Sequence, residues 1–209
     1  MAHNIYFSWG PIQEKFWEGN WHVDRIVPTG YIWGQHYQES LGDREAVRRL
    51  LLGDGTRLKY VVSLFDEPSS PETHKTEKTV YDFYRLGVEL LKRRSDVVII
   101  ARPKRFNGVS GGPAVRELIA PYLNSGRLQV WDWKMTDATQ VIAVSDVVAS
   151  MELSAPYLEA LCCGRRAFNY TPASNYPSPI YKAGRGSVFF DEFEPLVDAI
   201  YQALDHPEE

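Results

Sequence analysis

Apolar residues along this chain fall into short dense runs separated by stretches in which they recur every three or four positions. The dense runs are KYVVSLF (59–65), VVIIA (97–101), RLQVW (127–131), VVA (147–149) and RAFNY (166–170). Segments apolar on both faces fit strands buried in a parallel sheet. Between them, Val80, Phe83, Tyr84, Gly87, Val88 and Leu91 keep helical spacing over 76–94, as Val115, Leu118, Ile119 and Tyr122 do over 113–123. Further helices are predicted over 43–52 with Gly53 as stop, from Thr136 or Asp137 as cap to 144, over 156–163, and over 193–204. A last strand is predicted over 187–190. Strand and helix alternate about six times, which implies parallel pairing through right-handed crossovers. The expected fold class is α/β: a doubly wound, Rossmann-like parallel sheet with helices on both faces.

Residues 1–42 break this rhythm. Trp9, Trp17, Trp21 and Trp33 are four of the six tryptophans, with Tyr6, Phe7, Phe16, Tyr31 and Tyr37 beside them. Strands fit 4–9 and 24–27, a short helix fits 12–19, and Pro28-Thr29-Gly30 reads as a turn. So many aromatics in a short piece need a large surface to cover. The division expected is 1–42 as an aromatic-rich arm or linker and 43–209 as the main domain.

Composition narrows the function classes. At 209 residues, 44% hydrophobic and 24% charged, the chain has room for a full core. A net charge of −4 without a long basic run argues against nucleic acid as a partner. The two cysteines are adjacent, Cys162 and Cys163, and cannot staple a fold, which suits a reducing compartment. No run approaches the ~18 apolar residues of a membrane span, and the N-terminus has no signal-peptide pattern. A cytoplasmic protein is expected, with peripheral association at the inner face of a membrane left open.

In an open α/β sheet ligands bind beyond the carboxyl ends of the strands. Asp66 follows the first strand of the main domain and suits a sugar or acceptor hydroxyl, or else a turn. Arg102, Lys104 and Arg105 follow the second, around Pro103, and suit phosphate. Arg102 is favoured as nearest the strand end, and Lys104 is kept as a substrate contact. The segment 107–112 (NGVSGG) reads as a lid or a turn. After the strand at 147–149, Ser154 and Ala155 open a helix with Pro156 in its first turn, Glu159 one turn in, and Gly164 as stop. Helix N-termini offer N–H groups to anions, and a carboxylate one turn in suits a hydroxyl pair. Such an arrangement suits a nucleoside diphosphate and its ribose, or else is an ordinary strand–helix–strand unit whose Glu159 is a solvated helix charge. Neither a Gly-x-Gly-x-x-Gly or P-loop pattern, nor a His/Cys/carboxylate set at metal spacing, nor a Ser-His-Asp arrangement is legible. No cofactor, metal or catalytic residue is assigned.

The stretch 145–170, with Ser154, Ala155, Glu159-Ala160-Leu161 and Gly164, resembles the donor-binding segment of GT-B glycosyltransferases. It is similar to surface-polysaccharide proteins with a Pro-Phe-Thr-Ser loop, where this chain has Glu152-Leu153-Ser154-Ala155. The resemblance implies one half of the GT-B architecture, with Glu159 on the ribose, loop amides on the diphosphate and the Trp133 loop on the base. It further implies a nucleotide-sugar donor, a glycan or lipid-linked acceptor and a preceding N-terminal GT-B domain. The segment 5–30 is similar to the end of such a domain. The chain departs at two points: Ala155 replaces the loop serine, and Met151 occupies the place of the first acid of the retaining-enzyme motif. Glu152 lies one place off. The rival readings are half of a sugar-nucleotide 2-epimerase and a non-catalytic binding or assembly module.

Overall fold

The computed structural model of the chain describes residues 2–10, 22–52, 58–69, 75–104, 108–132, 134, 136–172 and 179–206. Strands β1 (Ala2–Ser8) and β2 (His22–Pro28) pair in parallel as a two-stranded sheet. The main sheet holds β3 (Tyr60–Phe65), β4 (Val97–Arg102), β5 (Leu128–Val130), β6 (Val147–Met151), β7 (Arg166–Tyr170) and β8 (Phe189–Phe190). These run in the order β5-β4-β3-β6-β7-β8, every pair parallel. The order reverses between β3 and β6, and the crevice of a doubly wound sheet opens beyond the strand ends at that reversal.

The helices are α1 (Gly34–Gly42), α2 (Arg44–Leu52), α3 (Glu77–Arg93), α4 (Gly112–Asn124), α5 (Ala138–Val144), α6 (Ala155–Cys162), α7 (Pro179–Gly184) and α8 (Phe193–Asp205). They cover both faces. Val62, Leu64, Ile99 and Ala101 pack with Val80, Phe83 and Leu91 of α3, Val115 and Ile119 of α4 and Leu196 of α8. The alternate residues Val61, Phe65, Val98 and Ile100 pack the opposite way, with Val141 of α5, Tyr157 of α6 and Tyr37 of α1. Alternation by two explains why the strands read as unbroken apolar runs: each face has its own core. The expected α/β, Rossmann-like class with helices on both faces is what the chain forms.

Several local expectations change. Helix α1 was not expected, since GQHYQESLG carries a single deep anchor, Tyr37, only 2% exposed. Arg165 Nε donates to the Tyr37 hydroxyl at 2.7 Å, so residues 34–42 are fastened to the body of the sheet. Helix α7 was not expected, and the last strand shortens from 187–190 to Phe189–Phe190. Tyr181 of α7 packs on Phe189 at 4.6 Å between ring centroids, which anchors α7 to the sheet. The helix expected over 12–19 lies outside the described residues.

The amino ends of the strands are locked by charge. Asp146 accepts from Arg44 at 2.6 Å, from Arg48 at 3.2 Å and from the Val61 N–H at 2.7 Å, joining α2 to the sheet. The carboxyl ends are built differently.

Candidate functional site

Asp66 follows β3, is 4% exposed, and accepts from three protein donors. These are the Tyr84 hydroxyl (2.6 Å), the Lys104 N–H (2.8 Å) and the Ser110 N–H (3.1 Å). Burial beside this carboxylate holds the Tyr84 phenol protonated far above its usual range. Lys104 folds back as well, its Nζ at 2.7 and 2.8 Å from the Glu67 carboxylate. Asp66, read as a substrate contact or a turn residue, and Lys104, read as a substrate contact, both help to fix the loop after β4. Within 108–112 the Ser110 N–H is held by Asp66, and Gly111, at φ +90°, is the N-cap of α4. Trp133 and Arg105 lie outside the described residues.

Arg102 ends β4 and is half-buried. Its Nη2 donates to the Thr136 carbonyl at 3.0 Å, while its Nε is shut from solvent without a partner. Burial lowers the guanidinium's pKa, opposed by the Asp137, Asp132 and Glu159 carboxylates around it. Asp137 caps α5 by accepting from the Gln140 N–H at 2.8 Å, and Gln140 answers the Asp137 N–H, closing a capping box. Since Asp137 takes the capping role, the Thr136 hydroxyl is left buried and unpartnered. A cavity of about 220 Å³ lined by His36, Glu39, Asp43 and Gln140 adjoins the cluster through Asp137.

The loop from β6 to α6 supplies the rest. Glu152 adopts φ 57°, a left-handed conformation that costs a side-chain-bearing residue about 1 kcal/mol or more. Neighbours hold it there: Glu152 N–H donates to the Tyr170 carbonyl at 3.1 Å, and Ser154 N–H donates to the Glu152 carbonyl at 2.8 Å. Asn169, fully buried, donates to the same carbonyl and to Ser150 Oγ (3.1 Å), while accepting from Thr171 Oγ1. The bend sets Ser154 at the N-cap of α6, with Pro156 in its first turn as expected. The Ser154 side chain caps nothing; its Oγ is buried without a partner. Ala155 carries no polar side chain, so beyond Ser154 this helix start offers an anion backbone N–H groups only. Gly164, φ +65°, makes the predicted left-handed stop.

Glu159 lies on α6, half-buried. Burial raises its pKa, opposed by the Tyr31 hydroxyl and Arg102 and assisted by Asp137. Tyr31 comes from the segment between β2 and α1, and its hydroxyl lies beside Glu159 as a donor that favours the carboxylate, while burial and Glu159 push the phenol's own pKa up. Arg102 Nε, Thr136 Oγ1 and Ser154 Oγ are three buried polar atoms without a partner. All are linked through Arg102 or α6 to Glu159, beyond the strand ends. Desolvated groups left unsatisfied cost about 1–3 kcal/mol each, so such a grouping points to a polar ligand.

A carboxyl group with a raised folded-state pKa is neutral in both states below its unfolded value near 4.3. Its ionisation then penalises the fold increasingly as pH rises, fully above the folded-state pKa. Glu159→Gln is therefore expected to be more stable than the wild type at pH 7, with the difference closing as pH falls toward about 4.5. Urea midpoints at both pH values measure this; a difference that widens on acidification is the opposite result.

No family model and no curated protein matches the chain. Among solved structures, Anabaena HepE in complex with UDP-glucose matches with TM-score 0.56 at 15% identity, covering 86% of this chain and 47% of that one. The same protein with UDP and glucose matches at 0.53 and 16%. UDP-GlcNAc 2-epimerase from Neisseria meningitidis, bound to UDP-GlcNAc, matches at 0.56 and 16%, covering 88% of this chain and 48% of that one. The chain spans about half the length of these proteins. The likeness is one of fold: a Rossmann-like half of the GT-B type.

Proposed function

We propose that the chain is the nucleotide-sugar-binding half of a GT-B glycosyltransferase acting in surface polysaccharide synthesis. The carrying observation is the convergence of Arg102, Thr136, Ser154 and Glu159 beyond β4 and β6, with three unpartnered polar atoms turned over to no protein group. Arg102 Nε and the N–H groups opening α6 suit a diphosphate, and Glu159 suits the ribose hydroxyls. As the sugar–phosphate bond breaks, negative charge grows on the diphosphate, and a fixed guanidinium and oriented amides stabilise it there. Carboxylates crowd Arg102 and keep it charged despite burial. The group that activates the acceptor belongs, on this reading, to the other half.

That other half also explains β1–β2. Ile5 and Phe7 point the same way two residues apart and are 51% and 60% exposed, on a two-stranded parallel sheet that has little core of its own. A preceding domain whose sheet they continue would cover them. The polysaccharide role rests on the resemblance of 145–170, and the choice of UDP as first ligand rests on what the structural neighbours bind.

Calorimetric titration with UDP, GDP, CDP and CMP tests the site. One nucleotide is expected to bind saturably, UDP first among them, and Glu159→Ala is expected to weaken it at least about tenfold, as the loss of charged hydrogen bonds does. A folded chain that binds none of them sinks the proposal in favour of a binding or assembly module, the reading that Ala155 and the misplaced Glu152 favour. The epimerase bound to UDP-GlcNAc matches the fold as well as HepE bound to UDP-glucose does, so an epimerase half is the second reading. Incubation with UDP-GlcNAc separates them: a 2-epimerised product makes the protein an epimerase, and transfer to a glycan acceptor makes it a transferase.

A further inference from the structure

A second cavity, of about 180 Å³, borders the amino ends of β3, β6 and β7, the opposite end of the sheet from Arg102. Its walls include Arg44 of α2, Tyr60 and Asp146 at the starts of β3 and β6, Arg165 and Arg166 where β7 begins, and Leu204 of α8. Three arginines lining one small cavity repel each other and bring more N–H donors than the protein uses. Arg165 gives its Nε to the Tyr37 hydroxyl at 2.7 Å, and Arg166 gives Nη1 to the Ala203 carbonyl at 2.5 Å. Both acceptors are neutral. Among the described residues neither arginine has a carboxylate partner, and their other nitrogens find no protein acceptor. Arg44 pairs through Nη2 with Asp146 at 2.6 Å, yet its Nε is shut from solvent without a partner.

Asp146 does not cancel this excess. Arg44 and Arg48 share it, and it also accepts from the Val61 N–H, so its oxygens are filled from the protein side. Arg94, 4.9 Å over the neighbouring Tyr60 ring, is matched by Asp96 and Asp205. Five guanidiniums therefore stand against three carboxylates, in a chain whose net charge is −4. The Arg44 and Asp146 side chains are 25% and 26% exposed, so a small ion reaches them where water is partly displaced. Charge-assisted hydrogen bonds gain strength in such a setting. Guanidinium forks match the oxygens of a phosphate, and a dianion answers a local excess of two charges. The Tyr60 ring and Leu204 leave an apolar wall for whatever the phosphate carries.

We propose that this cavity is a binding site for a phosphate dianion, free or as a small monoester, with Arg44, Arg165 and Arg166 as its donors. It is separate from the nucleotide site and does not depend on that reading, because it lies at the other end of the strands.

The test is titration of the isotope-labelled 209-residue chain with inorganic phosphate, at constant ionic strength made up with chloride, followed by amide chemical shifts. Saturable shifts are expected at 164–166 and at Asp146. Shifts confined to 152–156, or none that saturate, overturn the proposal. Should both regions respond, Arg102→Gln is expected to abolish the response at 152–156 and to leave the one at 164–166; losing both together overturns it. Arg166→Lys keeps the charge and loses the fork, and is expected to bind phosphate at least about tenfold more weakly. Unchanged affinity would mean a solvated patch that reads charge alone, which also overturns the proposal. If that variant fails to fold, the wild-type shift map decides. Glycerol 3-phosphate titrated in parallel separates the two sources: tighter binding than inorganic phosphate supports the site as one for a monoester, and equal or weaker binding supports it as one for the free ion.

Discussion

Asp66→Ala is expected to destabilise the fold by about 4 kcal/mol. The carboxylate is 4% exposed, and its removal leaves three donors without an acceptor: the Tyr84 hydroxyl and the N–H groups of Lys104 and Ser110. Leaving a buried donor unsatisfied costs about 1–3 kcal/mol, and water entering the gap recovers part of the sum. Tyr84 is among the largest fully buried side chains, so its hydroxyl has no route to solvent. Tyr84→Phe should cost only about 1 kcal/mol, because the two backbone donors still reach Asp66. Chemical denaturation of both variants measures the difference. Equal losses would mean that Tyr84 is the only donor that matters. Because Lys104 is two residues from Arg102, Asp66→Ala is expected to weaken nucleotide binding as well, at temperatures where the variant is still folded.

That carboxylate shows where reading the sequence stops. An aspartate after a parallel strand has the same sequence signal whether it faces a ligand or locks its own loops; only the positions of Tyr84 and Ser110, 18 and 44 residues away, decide between the two. The strands were legible because each is buried on both faces, which leaves runs such as VVIIA that no amphipathic helix would carry. The long helix was legible for the complementary reason: Val80 to Leu91 mark one face at helical spacing. Helix α1 was illegible because Tyr37 alone anchors it, and the bond from Arg165 that fastens it comes from 128 positions away. Arg102, Ser154 and Glu159 could be named as candidates from strand-end position and helix-start chemistry, which are local. Tyr31 and Asn169 could not. Tyr31 reaches Glu159 from the far side of the chain, and Asn169 acts by holding a strained residue in a different loop. No spacing rule connects either of them to the site.

Gly111→Val tests the same region from the backbone side and is expected to cost about 2–5 kcal/mol. Two independent terms add. At φ +90° a side-chain-bearing residue is strained by about 1–2 kcal/mol. In addition, a Cβ at this position would sit 2.4 Å from Val115 Cγ2 and 2.9 Å from Val80 Cγ1. Val80 and Val115 are both fully buried in the core between α3, α4 and the sheet, so neither can swing into solvent. Over-packing such a contact typically costs about 1–3 kcal/mol. Gly112, also at positive φ (+68°), has open space where its Cβ would go, so Gly112→Ala should carry the conformational term alone, about 1 kcal/mol. The comparison separates crowding from backbone strain within two adjacent residues. It also decides whether 108–112 acts as a turn or as a lid. A fixed turn places Ser110 N–H on Asp66 permanently, so that amide should exchange with solvent as slowly as the core strands, with or without nucleotide. A lid would protect it only when ligand is bound. Fast exchange at Ser110 together with a small penalty for Gly111→Val would identify a moving segment, whereas slow exchange with the full penalty makes this loop part of the rigid frame that aims Arg102.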